Sequence, residues 1–269
     1  MVQGQSGGTL TKEGYLALVL RYHLRRLARQ PQAHTGRYLG ADLNAGEGTN
    51  VRAGVTGTPR VTIDALRAMM PTRVHYLWFV DRSPQHIRRL TQRTPYQMPF
   101  FEPPSHYEYV RQDNATFLRG LVDRITALGE CAETSQGHLL CDPNGVAQTG
   151  PRAALPLREL GEFAARCRQW LVLVHWNFEA ARRVVGARIS DPTRTYSGTL
   201  LEEIFSVIPR KFWLISEPFG HSDGHSVLAG SPYYMPPRGT RPFALWPLES
   251  PRGAELRRLQ SGHPETGRR

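Results

Sequence analysis

The sequence predicts an α/β domain built on a mostly parallel sheet and closed by a C-terminal antiparallel hairpin. Three observations carry this. From Arg37 onward, short β-rich runs alternate with helical segments, the pattern of parallel strands joined by crossover helices. The last two strand candidates are separated only by Glu217 to His225, too short for a helical crossover, so they pair antiparallel. A run of small residues follows the first strand candidate, Tyr38-Leu-Gly-Ala-Asp42-Leu-Asn44-Ala45-Gly46-Glu-Gly48, where glycine allows positive φ and a close backbone approach to a ligand.

Ahead of the alternating pattern lies a helix over Thr11 to Arg29. Leu16, Val19, Leu20, Leu24 and Leu27 recur along it at three- and four-residue spacing, and Pro31 stops it. The strand candidates are Tyr38 to Leu43, Val74 to Val80, Tyr107 to Arg111, His138 to Cys141, Trp170 to His175, Phe212 to Ser216 and Ser226 to Ala229. Helices are expected over Thr58 to Met69, Pro84 to Thr91, Ala115 to Leu128, Leu155 to Arg168, Phe178 to Val185 and Leu200 to Val207. Five strands joined by helices and then a closing hairpin is the order of a Rossmann-like class I methyltransferase sheet, whereas dinucleotide dehydrogenases usually finish on a parallel strand. After Pro232 the composition turns to Pro, Gly and Arg, with only Ala254 to Leu259 helical in pattern. The chain therefore divides into an N-terminal helical extension (1–36), a methyltransferase-like domain (37–231) and a Pro/Arg-rich C-terminal tail (232–269).

Composition narrows the function classes. The 269 residues are 40% hydrophobic and 21% charged, a folded rather than disordered balance. The longest apolar runs, Leu16 to Leu20 and Trp170 to Val174, fall far short of the roughly 20 residues a bilayer requires. Met1 to Leu10 lacks the basic start and apolar centre of a signal peptide, so the expectation is a cytoplasmic protein with no membrane partner. Cys131, Cys141 and Cys167 have neither metal-ligand nor C-x-x-C spacing and are expected to be reduced. Glu217, His221, Asp223 and His225 resemble a metal cluster but equally suit a turning hairpin loop, and no metal is expected. The formal net charge is +11, and Lys12 and Lys211 are the only lysines. Such an arginine-dominated surplus favours an anionic partner, nucleic acid first, though a GC-rich genome enriches arginine as well. Arg21, Arg25, Arg26 and Arg29 fall on the polar side of the first helix, as a solvated face or a phosphate-binding stripe.

The chemistry-bearing residues gather at strand ends. Asp42 ends the first strand candidate, and with Asn44, Ala45, Gly46 and Gly48 it suits the amino acid end of S-adenosylmethionine, whose ammonium a carboxylate can accept directly or through water. Asp81 ends the second, where a carboxylate can take both hydroxyls of a ribose, although Asp81 and Ser83 also suit a helix cap before Pro84. Asp113 and Asn114 end the third, where an Asp or Asn can face an adenine amino group, and Asn114 equally suits the N-cap of the next helix. The fourth supplies Leu139-Leu-Cys141-Asp142-Pro143-Asn144-Gly145, where Asp142, Pro143 and Asn144 are the candidate catalytic residues. Asp142 would accept a hydrogen bond from a substrate amino group or act as general base, and the same four residues also make a good β-turn. His175-Trp176-Asn177, ending the fifth, and the aromatics of Pro95 to Tyr109 are candidate stacking surfaces; core packing is the alternative for both.

The Asp42-to-Gly48 loop, Gly57-Thr-Pro59 before a helix, Asp81 and Asp142-Pro-Asn-Gly145 together resemble the three-Cys-motif partner proteins, a phage- and plasmid-associated branch of the class I methyltransferase fold. That family reads Asp-Leu-Phe-Ala-Gly-Pro-Gly in the loop, Gly-Ser-Pro before the helix and Asp-Pro-aromatic-Gly on the fourth strand, so this chain departs at Asn44, Glu47 and Asn144. The resemblance spans about Tyr38 to Gly230. The turn is also similar to the Asp-Pro-Pro-Tyr motif of amino-methylating DNA enzymes, but lacks its aromatic. The expectation is an S-adenosylmethionine-dependent methyltransferase of phage or mobile-element type, acting on nucleic acid or a nucleotide-like substrate. The alternative is a non-catalytic methyltransferase-fold protein that binds nucleic acid or a protein partner.

Overall fold

Strands that are apolar on both faces must be covered by helices on both sides, and the order of elements here supplies that cover. The computed structural model describes residues 8–29, 36–50, 55–93, 105–142, 156–177, 204–216, 225–233 and 243–245. Helix α1 (Gly8–Ala28) precedes β1 (Tyr38–Asp42), a short antiparallel pair β2 (Thr49–Asn50) and β3 (Val55–Thr56), then α2 (Thr58–Met69) and β4 (His75–Asp81). Next come α3 (Pro84–Arg93), β5 (His106–Arg111), α4 (Asn114–Ala127), β6 (Gln136–Cys141), α5 (Leu157–Arg166) and β7 (Trp170–Asn177). A helical turn at 204–207 leads to β8 (Phe212–Ser216), β9 (His225–Ser231) and β10 (Phe243–Leu245).

The main sheet runs β10-β8-β9-β7-β6-β1-β4-β5. β5, β4, β1, β6 and β7 are parallel, while β9 inserts antiparallel between β7 and β8. This is the class I methyltransferase sheet, mostly parallel with a C-terminal antiparallel hairpin. Side-chain alternation distributes the apolar residues between two cores. Leu39, Ala41, Trp78, Val80, Leu139, Val172 and Val174 meet α4 and α5 on one face. Tyr38, Leu77, Phe79, Leu140, Leu171 and Leu173 meet α1, α2 and α3 on the other.

Helix α1 is joined to that second core by the periodic residues that predicted it: Leu16, Val19, Leu20, Leu24 and Leu27 are all buried. Helix α2 keeps its expected bounds, and α5 is shorter than expected at both ends because the backbone is not helical at Pro156 or at Cys167. The helices expected at Phe178 to Val185 and Ala254 to Leu259 lie outside the described residues. The sequence pattern did not anticipate β2 and β3, nor β10, which adds a three-residue antiparallel edge to β8 within the Pro/Arg-rich segment.

At the amino edge of the sheet a group of histidines is sealed under α1. His23, His75 and His138 are 0%, 3% and 1% exposed. The Tyr38 hydroxyl is hydrogen-bonded to His138 Nδ1 at 3.0 Å, and His75 Nε2 donates to the Met70 carbonyl at 3.1 Å. The His23 ring lies between Tyr38 and Tyr233. Burial lowers His23 and His138 to about 3 and His75 to about 4.

These folded-state values lie below the unfolded one, so the unfolded chain binds more protons between about pH 4 and 6.5. The stability linked to neutral imidazoles is therefore complete above that window and lost as pH falls through it. Glu13 and Asp42, both raised to about 7 chiefly by burial, work in the opposite direction over the same range. A His23→Leu variant isolates one imidazole: its stability loss between pH 7 and pH 5 should be smaller than that of the parent by about 2 kcal/mol, read by urea unfolding at both pH values. An equal loss would show that His23 does not titrate on unfolding.

Candidate functional site

The strand order reverses at β1, with β4 and β5 on one side and β6 onward on the other. In open α/β sheets the crevice at such a reversal, outside the carboxyl ends of the strands, is where ligands bind. Here that point falls between the ends of β1 and β6, with Asp42 ending β1, Asp142 directly after β6, and Asp81 ending β4 next door. The loop after β1 is fastened to both neighbours by backbone bonds, Leu43 N to Leu140 O at 2.9 Å and Ala45 N to Val80 O at 3.1 Å. Gly46 and Gly48 hold φ of 59° and 75°, the left-handed region that a side chain would strain.

Asp42 is 2% exposed. Its Oδ2 accepts the Thr58 hydroxyl at 2.5 Å and its Oδ1 the Asn44 backbone N–H at 3.1 Å. Burial outweighs these bonds and raises its carboxyl to about 7, so protonated and ionised forms coexist at neutral pH. The Asn44 side-chain oxygen accepts from Asn114 Nδ2 at 3.1 Å and from the Asp142 backbone N–H at 3.2 Å, tying the loop to α4 and to the end of β6. Asp113 caps α4, accepting the Thr116 N–H at 2.9 Å. The cap is thus Asp113 rather than Asn114, and Asn114 is left facing the crevice loop.

Asp81 turns toward the glycine loop. Its Oδ1 accepts the Ser83 N–H at 2.7 Å, and its Oδ2 accepts both the Gly46 N–H at 3.2 Å and His86 Nδ1 at 3.1 Å. Glu47, one of the departures from the family pattern, is clasped by Arg89 and by Arg93 at 2.9 Å, both from α3. Burial favours the neutral carboxyl of Glu47, but the two guanidinium groups outweigh it and hold Glu47 below the ordinary range.

Asp142 is the most densely coupled group of the site. Its Oδ2 pairs with Lys12 Nζ at 2.5 Å and its Oδ1 accepts His175 Nδ1 at 2.5 Å. Burial would raise its carboxyl, yet the Lys12 ammonium and His175 prevail and hold it well below the usual range. Lys12 is raised in turn, burial being outweighed by Asp142. Beside it on α1, Glu13 is buried and raised to about 7, mainly by desolvation. Three carboxyl groups, Asp42, Glu13 and Asp142, therefore share one ammonium. Lys12, Glu13, His86 and the pairing of His175 with Asp142 were not among the candidate site residues read from the sequence, and Thr58 entered only as the middle of Gly57-Thr-Pro59. The one available signal was compositional, since a lysine is rare in this arginine-dominated chain.

Pro143, Asn144, Glu217, His221 and Asp223 lie outside the described residues, as does the greater part of Pro95 to Tyr109. Tyr107 and Tyr109 are in β5 and stack or tilt against Phe79 at 6.1 and 5.9 Å, so these two aromatics belong to the packing of the sheet. Among the described residues no group of three or more His, Cys, Asp or Glu could hold a metal ion. Likewise no described helix is long and apolar enough to cross a membrane.

No family model and no curated protein matches the chain. Solved structures of similar shape include a protein of the family DUF519 from Legionella pneumophila, at 12% identity over 81% of this chain and 86% of that one, with a TM-score of 0.49. A putative rRNA methylase from Clostridium thermocellum is 8% identical over 84% and 97% of the two chains, with a TM-score of 0.41. Fibrillarin from Aeropyrum pernix, with natively bound S-adenosylmethionine, is 12% identical over 79% and 73%, with a TM-score of 0.38. The fold assignment itself rests on the strand order and the antiparallel β9.

Proposed function

We propose that the chain is an S-adenosylmethionine-dependent methyltransferase acting on an amino group of nucleic acid or of a nucleotide-like substrate, of the phage or mobile-element type its loops resemble. The observation that carries this is the row of carboxylates at the carboxyl ends of β1, β4 and β6, around the point where strand order reverses. The acids outnumber the one ammonium among them, which favours a cationic ligand. S-adenosylmethionine brings a sulfonium and an ammonium to such an edge and a ribose diol to Asp81. A dinucleotide would bring a pyrophosphate, which these acids repel.

In this reading Asp42, Asn44, Ala45, Gly46 and Gly48 hold the amino acid end of the cofactor, Asp81 the ribose, and Asp113 and Asn114 the adenine side. Asp142, with Pro143 and Asn144 after it, faces the acceptor. A carboxylate held so far below the usual range does not take up a proton at neutral pH, so Asp142 acts by accepting an N–H from the target amino group and orienting its lone pair toward the methyl. Methyl transfer is an in-line displacement in which alignment is the main contribution of the protein. The phosphate contacts would come from arginine. Arg82 and Arg111 are exposed beside the ends of β4 and β5, and Arg21, Arg25, Arg26 and Arg29 are exposed on α1 toward the amino edge. None of these six forms an ion pair with another described residue.

One observation favours the second reading, a non-catalytic methyltransferase-fold module for nucleic acid or a protein partner: Asp142 is already paired on both oxygens, as a purely structural carboxylate would be. Transfer of a labelled methyl group from S-adenosylmethionine to total nucleic acid separates the two. Label in RNA or DNA supports the enzyme, and none in either supports the module. Within the enzyme reading, Asp81→Ala should weaken cofactor binding about 30-fold or more by calorimetry, because two hydrogen bonds to a charged acceptor are together worth about 2–4 kcal/mol.

A further inference from the structure

We infer that His86 is a displaceable occupant of the ribose-binding carboxylate, so that the chain's own imidazole sets how tightly the adenosine part of the ligand is held. The inference rests on the cofactor reading above. A carboxylate oxygen offers two acceptor sites. Both sites of Asp81 Oδ2 are filled, by the Gly46 N–H at 3.2 Å and by His86 Nδ1 at 3.1 Å. Oδ1 has accepted the Ser83 N–H at 2.7 Å and has one site left. A vicinal diol needs one site on each oxygen. The Gly46 and Ser83 bonds come from the backbone of the loop and of the α3 entry, so they stay. The bond that can yield is the one to a side chain, and His86 is 43% exposed, with room to swing away, whereas Asp81 is 13% exposed.

Yielding does not dismantle the site. The loop keeps its backbone bonds to Leu140 and Val80, and Glu47 remains clasped by Arg89 and Arg93, one and two turns further along α3. His86, Arg89 and Arg93 thus lie on one side of α3 against the loop, with the arginines as the permanent attachment and the histidine as the exchangeable one. Ligand entry then trades a part-buried histidine–carboxylate bond for one ribose hydroxyl. That trade subtracts from affinity without touching the chemistry.

The test is calorimetry with S-adenosylhomocysteine, adenosine and 2′,3′-dideoxyadenosine as probes. Removing a pair of this kind should tighten binding of S-adenosylhomocysteine and adenosine to His86→Ala about two- to fivefold. Dideoxyadenosine, which has no diol, should bind the variant and the parent alike. His86→Asn, whose side-chain N–H falls near the position of Nδ1, should return affinity to the parent value. Unchanged or weaker binding by His86→Ala, or an equal gain with dideoxyadenosine, would overturn the inference alone. No heat from any probe with the parent or either variant would overturn the cofactor reading and this inference with it.

Discussion

Replacing Asp142 with asparagine is expected to lower methyl transfer at least about a hundredfold, the scale of a positioned polar group at a reacting centre, while costing about 2–4 kcal/mol of folding stability. The second effect follows from Lys12, whose side chain is only 14% exposed and would lose the carboxylate that compensates its charge. The two effects are separable. Combining Asp142→Asn with Lys12→Met should recover part of the stability, because the orphaned ammonium is removed, but should not recover transfer. Labelled-donor turnover and urea unfolding of the two single variants and the double variant read this out. If Asp142 serves only as a structural anchor, stability changes in the same way and the transfer rate of the single variant equals that of the parent.

Arg210→Ala, in the loop that enters β8, is expected to cost about 3–5 kcal/mol of folding stability. Arg210 is 3% exposed and carries no carboxylate partner among the described residues. Instead its guanidinium donates to the carbonyls of Ala164 at 2.8 Å, Cys167 at 3.0 Å and Trp170 at 3.0 Å. These carbonyls lie at the end of α5 and the start of β7, where the helix dipole also favours a cation, and that of Cys167 accepts the Trp170 N–H at 3.2 Å as well. Removing the fork takes a charged donor from three buried carbonyls, at about 1–3 kcal/mol for each that is left without another donor before relaxation. Arg210→Lys should recover less than half, since a single ammonium cannot reach three diverging carbonyls. A midpoint shift in urea small enough to correspond to under about 1 kcal/mol would mean that water replaces the fork.

The fold and the acidic strand ends were legible in the sequence because both are local. Apolar runs bounded by polar ends mark Tyr38–Asp42, His75–Asp81 and Gln136–Cys141 as buried strands, and Asp42, Asp81 and Asp142 fall at their exits whatever the rest of the chain does. The cap of α4 was read one residue late, at Asn114: the cap is Asp113, which stands three residues before the Thr116 N–H it accepts, and two adjacent cap-forming residues look alike in sequence. Lys12 could not be placed this way. It lies 130 residues from Asp142, and the bond exists only because α1 packs across the sheet so that its second turn reaches the carboxyl edge while His23 reaches the amino edge. His175 was read together with Trp176 as a stacking surface, since a strand-end His-Trp pair carries no sign of the neighbouring strand's acid. The β8–β10 edge was missed for the reverse reason: Phe243–Leu245 is too short to show a period.

The central claim is that the crevice between β1 and β6 is an S-adenosylmethionine site, and equilibrium binding tests it most directly. Calorimetry of the full chain against S-adenosylmethionine, S-adenosylhomocysteine, a nicotinamide dinucleotide and ATP should give saturable heat with the first two, abolished or strongly weakened by Asp81→Ala, and none with the others. Binding of the dinucleotide or the triphosphate, with no heat from either adenosyl sulfur compound at millimolar concentration, would contradict the account.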